Sequence, residues 1–371
     1  MTKVKAKQMH VYGCRISYYT GKLETYLRYR SIAYDYSPTV GNEKKLKAGA
    51  GVVQMPVVEL DDGRWMTDTT PIINWLDKQQ QGTSIYPDDP ELNFIALLIE
   101  DYADEWLWRP AMHYRWSYRP DRQYAAESLF NDLIAGNLAI PRLVAINRLK
   151  RRQLGNFVKG DGVTATTRWH VEQSYLTALD QLQTIFADRQ FILGDRPTIA
   201  DFGMMAPMLR HFSQDPTPAE IMRNRAPAVY EWVARMWNVQ PDRHGSSLIT
   251  EIDGPLSALL HEISETHLQQ HANNAIAYRN GQTHFDQRIQ TCHYRNLPMS
   301  RYRVWCLEAL QKHWIRLDKN TMVRLTAHMT NGAEDILSDK GPGPSSGYDT
   351  EDTAPFNRAI NVFADGLPPK A

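Results

Sequence analysis

Three short stretches hold side chains from which a site can be built. The first is Ser17-Tyr18-Tyr19-Thr20-Gly21-Lys22-Leu23, a run of hydroxyls and a lysine where a strand-like segment meets a helical one. A helix N-terminus presents unpaired N–H groups and the positive end of its dipole, so an anion is favoured there. The plainer role for Ser17 is to cap that helix. The second stretch, Gln54-Met55-Pro56-Val57-Val58, puts a proline inside a strand-like run. Such a proline belongs at a strand start or in a special turn. The third, Asp68-Thr69-Thr70-Pro71, opens a helix with proline in its first turn, where the missing N–H costs nothing. Asp68 is at least a cap.

Other groups point to less. Cys14 stands three residues before Ser17, but the helical period starts near Ser17, which leaves Cys14 in the strand as a small buried residue. Glu100 and Asp104 are spaced i, i+4, yet no Glu-x-x-His partner accompanies them, so no carboxylate metal site is expected. His261, His267, His271, His284 and His293 fit no standard zinc spacing and are read as packing or solvated residues. The expectation is no metal.

The elements that must position these groups follow from periodicity. Residues 9–16 are rich in β-formers, 22–30 have helical spacing, and 32–36 read as a second strand. Residues 52–60 are a third strand, Asp61-Asp62-Gly63 a hairpin turn, 64–66 the returning strand, and a helix starts after Thr67. The order β-α-β then β-β-α is the thioredoxin arrangement. A proline-bearing linker at 86–90 follows. Helical patterns then cover 92–115, with a kink expected at Pro110, and 121–152, 167–188, 195–212 and 226–237. Composition shifts near Gln240. Residues 255–279 and 300–330 are again helical, and Gly341 to Gly347 begin an irregular tail. The apolar stripe of 301–325 must bury against something, and the helical domain of the same chain is the expected partner.

Bulk properties set outer bounds. The chain has 371 residues, 42 basic and 42 acidic, so its formal net charge is zero. That gives no global reason to bind nucleic acid or an acidic membrane. Three cysteines argue against a disulfide framework, and no secretory signal or spanning apolar run is seen. A soluble, cytoplasmic protein is expected.

Taken in order, the three stretches resemble the cytosolic glutathione transferases of the serine and cysteine types. Ser17–Leu23 resembles their Ser-Pro-aromatic-x-x-Lys/Arg-Val motif, with Tyr18 in place of the proline. Gln54–Val58 resembles the segment with a cis proline, and Asp68–Leu76 resembles Glu-Ser-x-x-Ile-x-x-Tyr-Leu. Gly194–Phe202 resembles the family's Gly-x-x-x-Ser/Thr-x-Ala-Asp capping box, with Thr198 as N-cap and Asp201 reaching back.

The resemblance implies an α/β thioredoxin-like N-terminal domain (1–85), an all-α glutathione-transferase C-terminal domain (90–245), a mostly helical extension (246–338) and an irregular tail (339–371). It implies glutathione as co-substrate and a homodimer. Ser17, Tyr18 or Tyr19 would supply the hydroxyl to the thiolate. Ser17, Thr20, Lys22, Gln54, Met55, Pro56, Asp68 and Thr69 would hold the peptide, with the Met55 backbone on its cysteinyl part and Asp68 on its ammonium. Trp106, Arg109, Met112, His113 and Trp116 would line a pocket for a hydrophobic or aromatic electrophile, with Arg109 or Arg115 available to a carboxylate. The reading is a glutathione-dependent transferase, lyase or isomerase. The alternative is a non-catalytic relative serving binding or assembly.

Overall fold

The structure, a computed structural model, describes residues 9–134, 141–339 and 341–359. The chain opens with strand β1 (Met9–Gly13), helix α1 (Tyr18–Tyr29), β2 (Tyr34–Pro38), α2 (Glu43–Ala50), β3 (Val57–Leu60), β4 (Trp65–Thr67) and α3 (Thr69–Lys78). The sheet order is β2-β1-β3-β4, with β1 and β2 parallel and β3 antiparallel to both neighbours. This is the thioredoxin-like topology. Alternation along the strands sets the two faces. Val11 and Val58 pack with Leu23, Leu27, Ile72 and Ile73 of α1 and α3, whereas Tyr12 and Val57 pack with Leu46 and Ala50 of α2. The helix α2 went unread because its eight residues, EKKLKAGA, hold one large apolar side chain. It seats close to the sheet through Gly49, where a Cβ would meet the Trp65 indole at 2.2 Å.

The helical domain comprises α4 (Pro90–Glu105), α5 (Trp108–Ser117), α6 (Arg119–Leu129), α7 (Arg142–Gln153), α8 (Arg168–Asp188), α9 (Ile199–Pro207), α10 (Pro216–Arg225) and α11 (Pro227–Asn238). The break falls at Trp106–Leu107, not at Pro110. Pro110 sits in the first turn of α5, where its missing N–H has no intrahelical partner to lose. The capping box at α9 forms as read: Thr198 N–H donates to Asp201 Oδ2 at 2.9 Å. Glycine lets α9 approach α4, since a Cβ on Gly203 would meet the Glu100 Cα at 2.7 Å.

The extension adds α12 (Gly254–Glu265), α13 (His267–Arg279), β5 (His284–Ile289), β6 (Cys292–Pro298), α14 (Arg301–Trp314), α15 (Lys319–Thr326) and α16 (Ala333–Ser338). The hairpin β5-β6 was not expected. Its alternation is present, with Phe285, Gln287 and Ile289 buried and their neighbours exposed, but it is short and half its residues are polar. The stripe on 301–325 buries in cis as expected, Trp314 resting on Phe94 of α4 with ring centroids 5.1 Å apart. The extension shares one continuous core with the two preceding domains. Among the described residues no helix is long and apolar enough to cross a membrane.

Candidate functional site

Strand register brings the three stretches together. Tyr12 of β1, Val57 of β3 and Thr67 of β4 lie in one row across the sheet. Ser17 follows the first, Pro56 precedes the second and Asp68 follows the third. All three therefore stand at the same end of the sheet. The Met55–Pro56 bond is cis.

Ser17 is the N-cap of α1, its hydroxyl oxygen accepting from the Thr20 N–H at 3.4 Å. A serine has one proton to donate besides, and among the described residues nothing accepts it. The loop before it is held from the helical domain. Arg115 donates to the Ile16 carbonyl at 2.7 Å while its fork binds the Asp215 carboxylate at 2.8 and 3.0 Å. Arg115 is thus an anchor for the loop and has no free face for a substrate carboxylate. Cys14 lies buried in the loop, its thiol pushed up to about 12 by burial and then by Asp132, so it stays protonated.

The phenols beside Ser17 are committed elsewhere. Tyr18 donates to the Ala103 carbonyl and Tyr19 to the Asp104 carbonyl at 2.9 Å, which ties α1 to the end of α4. Burial first, then the nearby Asp104 and Glu105 carboxylates, raise both phenols far above their ordinary range. Of the three hydroxyls, Ser17 is the one whose proton has no acceptor among the described residues. Tyr18→Phe is expected to lower stability by about 1 kcal/mol, the value of one net hydrogen bond, with no change in thiol chemistry. Urea unfolding alongside an activity assay checks both halves.

Lys22 and Thr20 are likewise engaged by the protein itself. Thr20 is buried, its Oγ1 accepting from the Cys14 N–H at 3.4 Å. Lys22 is fully buried and its ammonium pairs with Glu100 and Asp104 of α4 and with Thr70 at 3.1 Å. One cation between two carboxyls balances only if one carboxyl keeps a proton. Burial, opposed by Lys22 and reinforced by Glu100, pushes the Asp104 carboxyl well above its ordinary range. This trio welds α1 to α4.

Asp68 has φ 71 and ψ 118, a conformation that side-chain-bearing residues avoid. Such outliers concentrate at functional sites. Its carboxylate accepts from the Thr70 N–H at 3.3 Å and from the Tyr302 hydroxyl of α14 at 2.8 Å. Burial, partly offset by that Tyr302 bond, brings its pKa up to about 7. Thr69 is buried beside it, while Gln54 and Met55 are half-buried.

The residues expected to line an acceptor pocket are core residues instead. Trp106, Met112 and Trp116 are all at most 7 % exposed. Arg109 donates to the Asp161 carbonyl at 2.9 Å and to Gln270 at 2.8 Å, under the Tyr294 ring of the hairpin. His113 is bonded to Glu172 at 3.0 Å and Ser117 at 2.8 Å. They face inward because α5 is covered by α8 and by the extension. The half-buried aromatics near Ser17 are others: Tyr19 stacks on Trp108 at 5.6 Å, and Phe157 meets Trp108 edge-on at 5.9 Å. The spacing of Tyr19 and Trp108 gives no hint of this, since they lie on different helices.

A cleft of about 1060 Å³ opens beside the segment that leads into the cis proline. Lys47, Gly51, Val52 and Val53 form one wall, and Arg301 and the tail from Gly347 to Ala359 form the other. The tail is fastened to the sheet end. The Thr67 N–H donates to the Pro355 carbonyl at 3.1 Å, and Phe356 lies edge-on to Trp75 at 5.3 Å and under the Arg64 guanidinium at 4.4 Å. Sequence reading missed Tyr302 and the tail because these contacts span more than 200 positions.

Residues 11–84 match the family model described as glutathione S-transferase, N-terminal domain, and residues 147–235 match that of the glutathione S-transferase, C-terminal domain. Similar solved structures include a β-etherase, LigF, from Sphingobium sp. strain SYK-6, at 16% identity and a TM-score of 0.44, covering 62% of this chain and 94% of that one. A glutathione S-transferase from Rhodospirillum rubrum F11 aligns at 17% identity and a TM-score of 0.42, covering 67% of this chain and 95% of its own. A third, from Methylobacterium radiotolerans in complex with glutathione sulfonate, aligns at 16% and 0.39, covering 62% and 90%.

Proposed function

Because this chain belongs to the glutathione S-transferase superfamily through residues 11–84 and 147–235, we propose that it is a glutathione-dependent transferase or lyase whose thiolate is activated by Ser17. The observation that carries this reading is the register row Tyr12–Val57–Thr67, which sets Ser17, the cis Met55–Pro56 bond and Asp68 at one sheet end. The tripeptide would lie across that end. Its ammonium meets Asp68, its cysteinyl backbone meets Met55, and its glycyl carboxylate reaches the cleft beside Lys47. The thiol then sits at the N-terminus of α1. There the helix dipole and the Ser17 hydroxyl favour the thiolate, whose proton leaves to solvent. The sulfur lone pair forms a bond to an electrophilic carbon, and the leaving group departs with the electron pair of the bond it breaks. A flat, apolar electrophile would rest on the Tyr19–Trp108–Phe157 aromatics.

A second reading has specific support. Asp68 already accepts from Tyr302 and Thr70, and Lys22 and Thr70 are bound to α4. A relative with its peptide-holding groups satisfied internally would serve binding or assembly without chemistry. The two readings differ over Asp68. A carboxylate has room for a further donor besides these two, so an incoming ammonium can add to them.

Asp68 sets the test. Pairing with an ammonium needs the ionised carboxylate, and this one is protonated below about pH 7. Glutathione affinity of the wild type is therefore expected to fall close to tenfold per pH unit below that point. Asp68→Asn should bind about 10- to 100-fold more weakly at pH 8, the value of a charge-assisted hydrogen bond, with a flat profile between pH 5.5 and 8. Equal affinity of the variant and the wild type would remove Asp68 from the site.

A further inference from the structure

The helix α13 carries His267 and His271 one turn apart, so both imidazoles face the same neighbour. That neighbour is α4, where Asp101 receives them. Nε2 of each histidine lies 2.8 Å from the same oxygen, Asp101 Oδ2, and the two rings are 4.2 Å apart. Both histidines are 0% exposed and Asp101 is 9% exposed. Nδ1 of each ring has no partner among the described residues. Hydrogen bonding alone thus converges two imidazoles on one oxygen and still leaves a bare ring nitrogen on each in a dry interior. One ligand atom from each of the three side chains lies within 4.8 Å of the others, a spacing that a single ion can share.

We propose that Asp101, His267 and His271 form a structural site for one divalent transition-metal ion of the zinc class, fastening α13 of the extension to α4 of the helical domain. Two imidazole nitrogens and one carboxylate oxygen suit zinc or its neighbours, whereas calcium and magnesium ask for an oxygen cage. Each imidazole binds through Nε2 as the tautomer with its proton on Nδ1. Metal–ligand bonds of about 2.0–2.1 Å in tetrahedral geometry place donors roughly 3.3 Å apart. The donors therefore separate by about half an ångström to admit the ion, and a water completes the set. Neither of the clefts described above or beside α12 is lined by these three residues, which fits a structural ion better than a catalytic one. The site is independent of Ser17 and Asp68, so it stands or falls apart from the glutathione reading.

The full chain, free of any affinity tag and stripped with EDTA, is dialysed against one equivalent of Zn²⁺ or Co²⁺. The expected result is close to one ion per chain by elemental mass spectrometry, ligand-field absorption of a four-coordinate cobalt site, and a rise in Tm of at least about 3 °C. His271→Gln and Asp101→Asn should lose the ion and the Tm response. His261→Gln, at an exposed histidine on α12, should keep both. Failure of the stripped wild type to take up zinc or cobalt, or full retention of the ion by His271→Gln, overturns the proposal. Circular dichroism shows whether each variant is folded. If His271→Gln is not, the stoichiometry and cobalt spectrum of the wild type decide the matter alone.

Discussion

Lys22→Met is expected to cost about 3–5 kcal/mol of stability, the usual penalty for stripping the partner from a buried ion pair, and to lower Tm by roughly 4–6 °C. The reason lies in what remains. Lys22 is fully buried between Glu100 and Asp104, and Thr70 also bonds to Glu100. With the lysine gone, a carboxylate charge would be left unpaired in a dry interface. Removing that charge as well should undo most of the harm. The double variant Lys22→Met/Glu100→Gln is therefore expected to recover more than half of the lost stability in urea unfolding. A double variant no better than Lys22→Met would mean that packing of the lysine stem, not charge, sets the penalty. The effect matters for function because α1 carries Ser17 at its first turn, and this trio fixes α1 against α4.

Ser17→Ala is expected to lower kcat/KM with an activated halonitroarene by about 10²–10³-fold, the range seen when a single aimed donor to a reacting anion is removed. The cause should be visible in the ground state. The pKa of the bound glutathione thiol, read from thiolate absorbance against pH, should rise by about two to three, since each pKa step of one is 1.36 kcal/mol. Rate and thiol pKa must move together if the hydroxyl acts on the thiolate. Loss of the cap alone would cost about 1 kcal/mol in stability and leave the thiol unaltered. A large fall in rate with an unchanged thiol pKa would transfer the stabilising role to the N–H groups of α1.

Much of the N-terminal architecture is legible in the sequence because it rests on local signals. Alternation in Val11 and Val57–Val58, the helical spacing of Leu23, Tyr26 and Leu27, and the Asp61-Asp62-Gly63 turn each report on a few neighbouring residues. The capping box at Thr198 and Asp201 is of the same kind. The site was readable only in part. The cis proline and the Ser17 cap are local features. The partners that decide which side chains are free are not: Lys22 meets Glu100 across 78 positions, and Asp68 meets Tyr302 across 234. No spacing rule encodes such pairings. Trp106, Arg109, Met112, His113 and Trp116 have the composition of a pocket, and tertiary packing makes them core. The histidines show the same limit from the other side. The i, i+4 spacing of His267 and His271 is plain in the sequence, yet it carries no metal signal until α4 supplies Asp101.

The extension alters what the family's fold presents to a ligand. In this chain Tyr302, Pro355 and the tail from Gly347 stand where the sheet end would otherwise face solvent. The tail from Gly347 also forms one wall of the cleft beside Lys47. If glutathione binds at this sheet end as proposed, the extension would stand beside it, through Tyr302 on Asp68 and Pro355 on Thr67.

The most direct measurement is a calorimetric titration of the full chain with glutathione at pH 8, where Asp68 is ionised. The expected result is one saturable site per chain with a Kd below about 1 mM, a binding free energy of at least about 4 kcal/mol, weakened by Asp68→Asn. Absence of binding heat at several millimolar glutathione, in a chain shown to be folded, would contradict the assignment of this sheet end to glutathione.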